Sequence, residues 1–348
     1  MKPSHTFKLL ILGILSASSG LLGLVLENQN AVPPKLTNQI NNMTDQLMDA
    51  SKSLAVERGL VNGLINNPFV KKKGQVETIK AMREESSAAF TKLDKSLKII
   101  KDQEMVAASE ERVLAMRSTL EKVIQLRVKA DSVISAGWDD PALKATWFPS
   151  VSKLILATNA VTEDIISGTK NKMDGKTQIA IEVKHALWEA AEYAGVERGA
   201  LNAKISASSI ITQDDYKVLK MAADKINNSW LIVLDHKGDF GSGFEGNIKQ
   251  IQQIYFVKFN EMRNDVLSAG MAKVKYPVSS EQWFDAATDG IQLMNAAHKS
   301  ITEFTSQRLQ STSATSQFSS RLYYGLLLLG FIISCGSLWS VYKVGSRP

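Results

Sequence analysis

From Leu36 onward the apolar positions step by four and three in alternation: Leu36, Ile40, Met43, Leu47, Ala50 and Leu54. That spacing holds one stripe of a helix against its neighbours. Carried on, it places Glu57 and then Val61 on the stripe, so a carboxylate arrives at a packed edge with Arg58 beside it. Asn66-Asn67-Pro68 ends the pattern, and the predicted helix, 35–66, is about 50 Å long at 1.5 Å per residue. Helices are predicted next over 75–101 and 103–135, the latter closed by Ala136-Gly137 and Pro141. Trp147-Phe148-Pro149 is expected to open a fourth helix that reaches Ile166. A second set begins at Thr177, with Leu187, Ala190, Ala194, Glu197 and Leu201 on one stripe. Thr212 with Asp215 suits a helix start, and that helix is predicted to end near Asp235. The glycines Gly238, Gly241, Gly243 and Gly246 predict a loop, followed by a helix over 247–269. Ser279 with Gln282 is a capping-box pattern that opens the last helix. The expected fold is all-α: two consecutive four-helix bundles, about 34–170 and 177–320.

The two sets share landmarks. Val56-Glu57-Arg58-Gly59 with Asn62 reappears as Val196-Glu197-Arg198-Gly199 with Asn202, an offset of 140 (198 − 58). Ser135-Ala136-Gly137 returns as Ser268-Ala269-Gly270, Trp147-Phe148 as Trp283-Phe284, and Asn159-Ala160 as Asn295-Ala296. The order is kept and the offsets drift only slightly, as loop insertions would cause. An internal duplication is the expectation; two unrelated bundles of like composition are the alternative.

Two apolar segments flank these helices. Residues 9–26 carry no charge and approach the length that spans a bilayer, and 322–341 form a second candidate span with Tyr323, Tyr324, Trp339 and Tyr342 at its edges. Aromatic rings favour the membrane interfaces. The run continues past Ser16–Gly20 through Leu21 and Leu22, which favours an uncleaved anchor over a signal peptide. Lys2 and Lys8 precede the first span, and Lys343 and Arg347 follow the second. The positive-inside rule then expects 1–8 and 342–348 in the cytoplasm, and the helical region outside it, at the inner (cell) membrane. A formal charge of +6 is mild for 348 residues, and an outward-facing domain argues against a nucleic-acid role. Lys71-Lys72-Lys73 beside Gly74 reads as a solvated loop. Cys335 is the single cysteine, so no intrachain disulfide forms. The four histidines are scattered, and no metal pattern, phosphate loop or catalytic carboxylate pair appears; neither a cofactor nor an enzymatic activity is expected.

The doubled Glu-Arg-Gly helix, the aromatic-led later helices and the two flanking spans resemble the nitrate- and nitrite-sensing (NIT) family over about residues 35–320. The resemblance implies an all-helical, extracytoplasmic sensor that binds nitrate or nitrite through arginines. Those roles fall on Arg58 and Arg198, which match the motif, and on Arg263 as a third. At the Ser-Ala-Gly offset the counterpart of Arg263 is Ala130, which would confine the third arginine to one repeat. Glu57, Gly59, Asn62, Glu197, Gly199 and Asn202 are the expected supporting residues. A guanidinium offers paired N–H donors to a planar oxyanion, where lysine offers a point charge, and the glycines are expected to leave room for it. The plain alternative for each arginine is a salt bridge to its surroundings. A homodimer is expected, with a cytoplasmic signalling partner or an output domain beyond this chain. A helical sensor of a small organic ligand and a membrane scaffold that binds a protein are the competing readings.

Overall fold

The stripe from Ile40 to Val61 is buried throughout, Glu57 included. So are Leu187, Ala190, Ala194, Glu197 and Leu201. These two stripes belong to the long helices α1 (Pro34–Asn66) and α5 (Gly175–Ser206). Around them run α2 (Gln75–Asp102), α3 (Glu110–Ala136), α4 (Pro141–Thr169) and α6 (Gln213–Asp235). Then come α7 (Gly241–Ile251), a π-helical segment (Gln252–Phe259) and α8 (Asn260–Ala272), which continue one another without a break. Helical residues 280–311 form α9. This computed structural model describes residues 34–66, 74–102, 109–169 and 173–311, and all regular structure among them is helical. The segments 9–26 and 322–341, Lys71-Lys72-Lys73 and Cys335 lie outside the described residues. Among the described residues no helix is long and apolar enough to cross a membrane.

The chain divides into two compact units, the larger comprising Gln39–Asn171 and Gly175–Thr305. Of the smaller, the described residues are 34–38, 173–174 and 306–311, and there Arg308 pairs with Asp174 at 3.0 Å. Within the larger unit, α2, α3 and α4 each reach α1. Ser53 donates to Glu85, Arg127 to Glu57, and the Trp147 indole to the Arg58 carbonyl. In the same way α6, α8 and α9 reach α5, through Ser229 to Glu189, Arg263 beside Glu197, and Trp283 to the Arg198 carbonyl. The two long helices meet each other directly. Lys184, fully buried on α5, ion-pairs Asp45 and donates to Asn41 Oδ1 at 2.7 Å on α1.

Several element ends differ from the sequence-based expectation. α3 starts at Glu110, because Ser109 accepts from the Arg112 N–H and caps it. Gly137, in the left-handed region at φ 69°, closes α3 with a bond to the Val133 carbonyl. α4 starts at Pro141, six residues before Trp147 (147 − 141), because Asp140 accepts from the Leu143 N–H and a proline suits the first helical position. Pro149 therefore lies inside a helix. The glycine-rich loop is shorter than expected: Gly241 already opens α7, and Gly243 and Gly246 are helical. The Thr212–Asp215 and Ser279–Gln282 capping boxes form as expected.

Candidate functional site

Arg58 leaves the buried stripe of α1 sideways and is 2% exposed. Its guanidinium carbon lies 4.7 Å from the centre of the Phe148 ring, and Nη1 donates to Ser152 Oγ at 2.9 Å. Arg198 on α5 repeats the arrangement. Its guanidinium carbon lies 4.5 Å from the centre of Phe284, and Nη1 donates to Thr288 Oγ1 at 2.8 Å. Behind each arginine an indole fixes the backbone: Trp147 Nε1 to the Arg58 carbonyl at 3.1 Å, and Trp283 Nε1 to the Arg198 carbonyl at 3.0 Å. Tryptophan, phenylalanine and hydroxyl residue thus recur at one offset, 136 (283 − 147, 284 − 148, 288 − 152).

The two arginines lie against each other's helices. A Cβ on Gly59 would sit 3.9 Å from Arg198 Nη2, and one on Gly195 would sit 3.8 Å from Arg58 Nη2. The glycine that faces Arg58 is therefore Gly195. Gly199 instead gives room to the Phe148 ring, 3.5 Å from its would-be Cβ. Burial, and after it the nearby charge of Arg58, lower the Arg198 guanidinium to about 10.

One difference breaks the match. Glu192, on the face of α5 toward α1, grips Arg58 with both oxygens, at 2.7 Å to Nη1 and 3.3 Å to Nη2. Arg58 Nε remains buried without an acceptor. Arg198 has no carboxylate partner among the described residues; its bonds are those to Thr288 and Phe284. A cavity of about 540 Å³ opens in front of Arg198, bordered by Gly59, Glu192, Gly195, Phe284 and Thr288. Arg58 stands behind Glu192 and does not line it.

The remaining residues singled out by the sequence fall elsewhere. Glu57 is clasped by two arginines: Arg83 Nε at 2.6 Å, and Arg127 through Nε at 3.0 Å and Nη2 at 2.7 Å. Among the described residues Glu197 has only Arg263, at 3.7 Å, and its second oxygen is buried without a partner. Burial outweighs that single arginine and raises the Glu197 carboxyl to about 7. Arg263 thus packs beside Glu197 and Asn260, and does not line the cavity with Arg198. Arg127 lies against Glu57 as Arg263 lies beside Glu197, 136 residues apart (263 − 127), while Ala130, at the offset of 133, is a buried core residue. Asn62 accepts from Asn66 near the end of α1, and Asn202 Oδ1 is buried unpaired. No group of three or more metal-ligating side chains occurs among the described residues.

Glu192, Ser152, Thr288 and Arg127 were not singled out from the sequence. Ser152 and Thr288 follow their Trp-Phe pairs by four residues, a legible helical spacing. Glu192 lies off the α5 stripe, and no periodicity marks it.

Comparison with known proteins bears on what this arrangement belongs to. A solved structure of the NasR transcription antiterminator superposes with a TM-score of 0.61 at 12% identity, covering 89% of this chain and 82% of that one. The likeness establishes a shared helical fold. Among curated proteins none matches. Residues 49–305 match the family described as nitrate and nitrite sensing, a stretch that holds both arginines, the cavity and every helix from α2 to α8. The chain belongs to the nitrate and nitrite sensing (NIT) family.

Proposed function

We propose that this chain senses nitrate or nitrite outside the cytoplasm, anchored in the inner membrane by segments 9–26 and 322–341. The ligand sits in the cavity before Arg198, with Arg58 behind Glu192 at its edge. The observation that carries this reading is the pair of arginines, each held over a phenylalanine and against a hydroxyl, meeting beside one cavity in a chain of a nitrate and nitrite sensing family. A guanidinium offers an oxyanion parallel N–H donors, and Thr288, which accepts from Arg198 and donates to the Phe284 carbonyl, holds that guanidinium in place. The matched tryptophan, phenylalanine and hydroxyl contacts support an internal duplication into two four-helix bundles. Signal transfer follows α9, which carries Thr288 and leads toward segment 322–341, to a cytoplasmic partner or output domain. Dimerisation of the chain would place two such helices side by side.

The test is thermal unfolding of the chain in nitrate, nitrite, chloride and sulfate at equal ionic strength. At a hundred times its dissociation constant a ligand stabilises by about 2.7 kcal/mol, so nitrate and nitrite raise the midpoint above that in chloride. A charged hydrogen bond is worth about 1.5–3 kcal/mol; Arg198→Ala is therefore expected to weaken binding roughly tenfold or more. Arg58→Ala does likewise, because it frees Glu192 to move onto Arg198. A midpoint no higher in nitrate than in chloride defeats the reading. The topology is checked separately: a reporter fused after Pro348 is active on the cytoplasmic side, and activity only outside contradicts the anchoring.

A second reading rests on size. A cavity of about 540 Å³ is many times the roughly 30 Å³ share of one water, and Trp188, Phe284 and Ile291 give it apolar walls. A small organic carboxylate would fill it better than nitrate does. Displacement of bound nitrate by monocarboxylates of increasing length separates the two.

A further inference from the structure

We infer that Glu192 is a built-in substitute for the ligand, one that occupies Arg58 and sets which anions the site accepts. This rests on the reading of Arg58 and Arg198 as an anion site. The carboxylate presents two oxygens in one plane to Nη1 and Nη2 of Arg58, the face that a nitrate would use. It is itself buried and stands between Arg58 and the cavity. Among the described residues no carboxylate grips Arg198 in this way. The position on α1 that matches Glu192 is Lys52 (192 − 140), which is part-exposed and lies 3.6 Å from Asp49. The symmetry of the arginines is thus broken at one point, by one carboxylate.

That carboxylate fixes the charge of the site. Among the buried groups, two guanidiniums and Glu192 leave one net positive charge; Lys52, which also lines the cavity, is part-exposed and is offset by Asp49. A singly charged anion brings the buried group to neutrality. A doubly charged anion such as sulfate leaves an excess negative charge in a desolvated space, which is strongly disfavoured. Without Glu192 the same two arginines would carry two positive charges and match sulfate. Glu192 therefore discriminates by ligand charge, while the guanidinium geometry discriminates by shape. It also spares Arg58 the cost of standing buried and unpaired while no ligand is bound.

Calorimetric titration of the whole chain with sodium nitrate and sodium sulfate, in chloride-free buffer, tests this with Glu192→Gln and Glu192→Asp. Glu192→Gln is expected to bind nitrate at least tenfold more tightly than the parent and to bind sulfate, which the parent does not. Glu192→Asp draws the carboxylate back by one methylene and is expected to gain several-fold for nitrate only. Unchanged or weaker nitrate binding in Glu192→Gln overturns the inference while leaving the anion site standing. Nitrate binding by Glu192→Gln but not by the parent upholds the inference and refutes the proposed function of the parent chain. Absence of binding in both overturns both. Should Glu192→Gln fold only with nitrate present, that rescue counts for the inference; should it not fold at all, Glu192→Asp decides, and no gain there overturns it.

Discussion

Glu57 and Glu197 occupy the same step of their stripes and meet opposite surroundings. Glu57 is shared by Arg83 and Arg127, whereas Glu197 is buried against one distant guanidinium. Glu57→Gln strips two arginines of their carboxylate and is expected to cost about 3–5 kcal/mol in urea unfolding. Glu197→Gln should act in the other direction. The Glu197 carboxyl sits at about 7 in the folded chain against an ordinary 4.5. Its contribution to stability is then full below pH 4.5 and is lost as the pH rises through 7, a loss of about 3 kcal/mol. Glu197→Gln is expected to recover most of that at pH 8 and little at pH 4.5. His298 runs in the opposite sense. Burial holds it at about 3, so its contribution falls as the pH drops below 6.5, and the glutamine variant leaves that limb in place. The carboxylates on the stripes were legible from spacing alone. Their partners were not, because Arg83 and Arg127 come from other helices. The second pairing is hidden further by the choice between offsets of 133 and 136.

At the scale of the helices, periodicity reads well and punctuation reads ambiguously. α1 runs at least to Asn66, the first residue of the predicted stop Asn66-Asn67-Pro68. α4 carries two prolines, and the more conspicuous, Pro149 beside Trp147-Phe148, is the one inside the helix. The informative pair was Asp140-Pro141, a cap followed by a proline at the first position. The π segment Gln252–Phe259 leaves no mark in residue type, yet it presents Tyr255 and Phe259 to the core. The Tyr255 ring lies over Gly290 of α9, where an added Cβ would stand 2.3 Å from Cδ2. Gly290→Ala is expected to cost about 1–3 kcal/mol through overpacking. Gly246, in α7, has no neighbour within 4 Å of its would-be Cβ, and Gly246→Ala should stabilise by about 0.5–1 kcal/mol from helix propensity. Thermal midpoints that moved the same way for both variants would contradict this packing.

At the scale of the larger unit, the buried Lys184–Asp45 pair ties α5 to α1, as does Arg58–Glu192. Lys184→Met leaves Asp45 buried without its charge partner and is expected to lose about 3–5 kcal/mol. Lys184→Met with Asp45→Leu should recover most of it, because an apolar pair avoids the desolvation of both charges. A double variant no more stable than the single one would show that the pair is worth more than its burial costs. Nothing in the sequence announced this contact, since a lysine in a helix ordinarily faces solvent. The tryptophans carry a mechanical consequence. Each indole bonds the carbonyl of the very arginine whose side chain stands at the site. Sliding α1 along α4 by a single residue rise, about 1.5 Å, breaks one such bond, buried there and part-buried where α5 would slide along α9. Each pair is locked axially at the level of its arginine. A roll of one such pair on the other about the α1–α5 seam works instead against Lys184–Asp45 and Arg58–Glu192, so the arginine at the site also resists the turning of its helix.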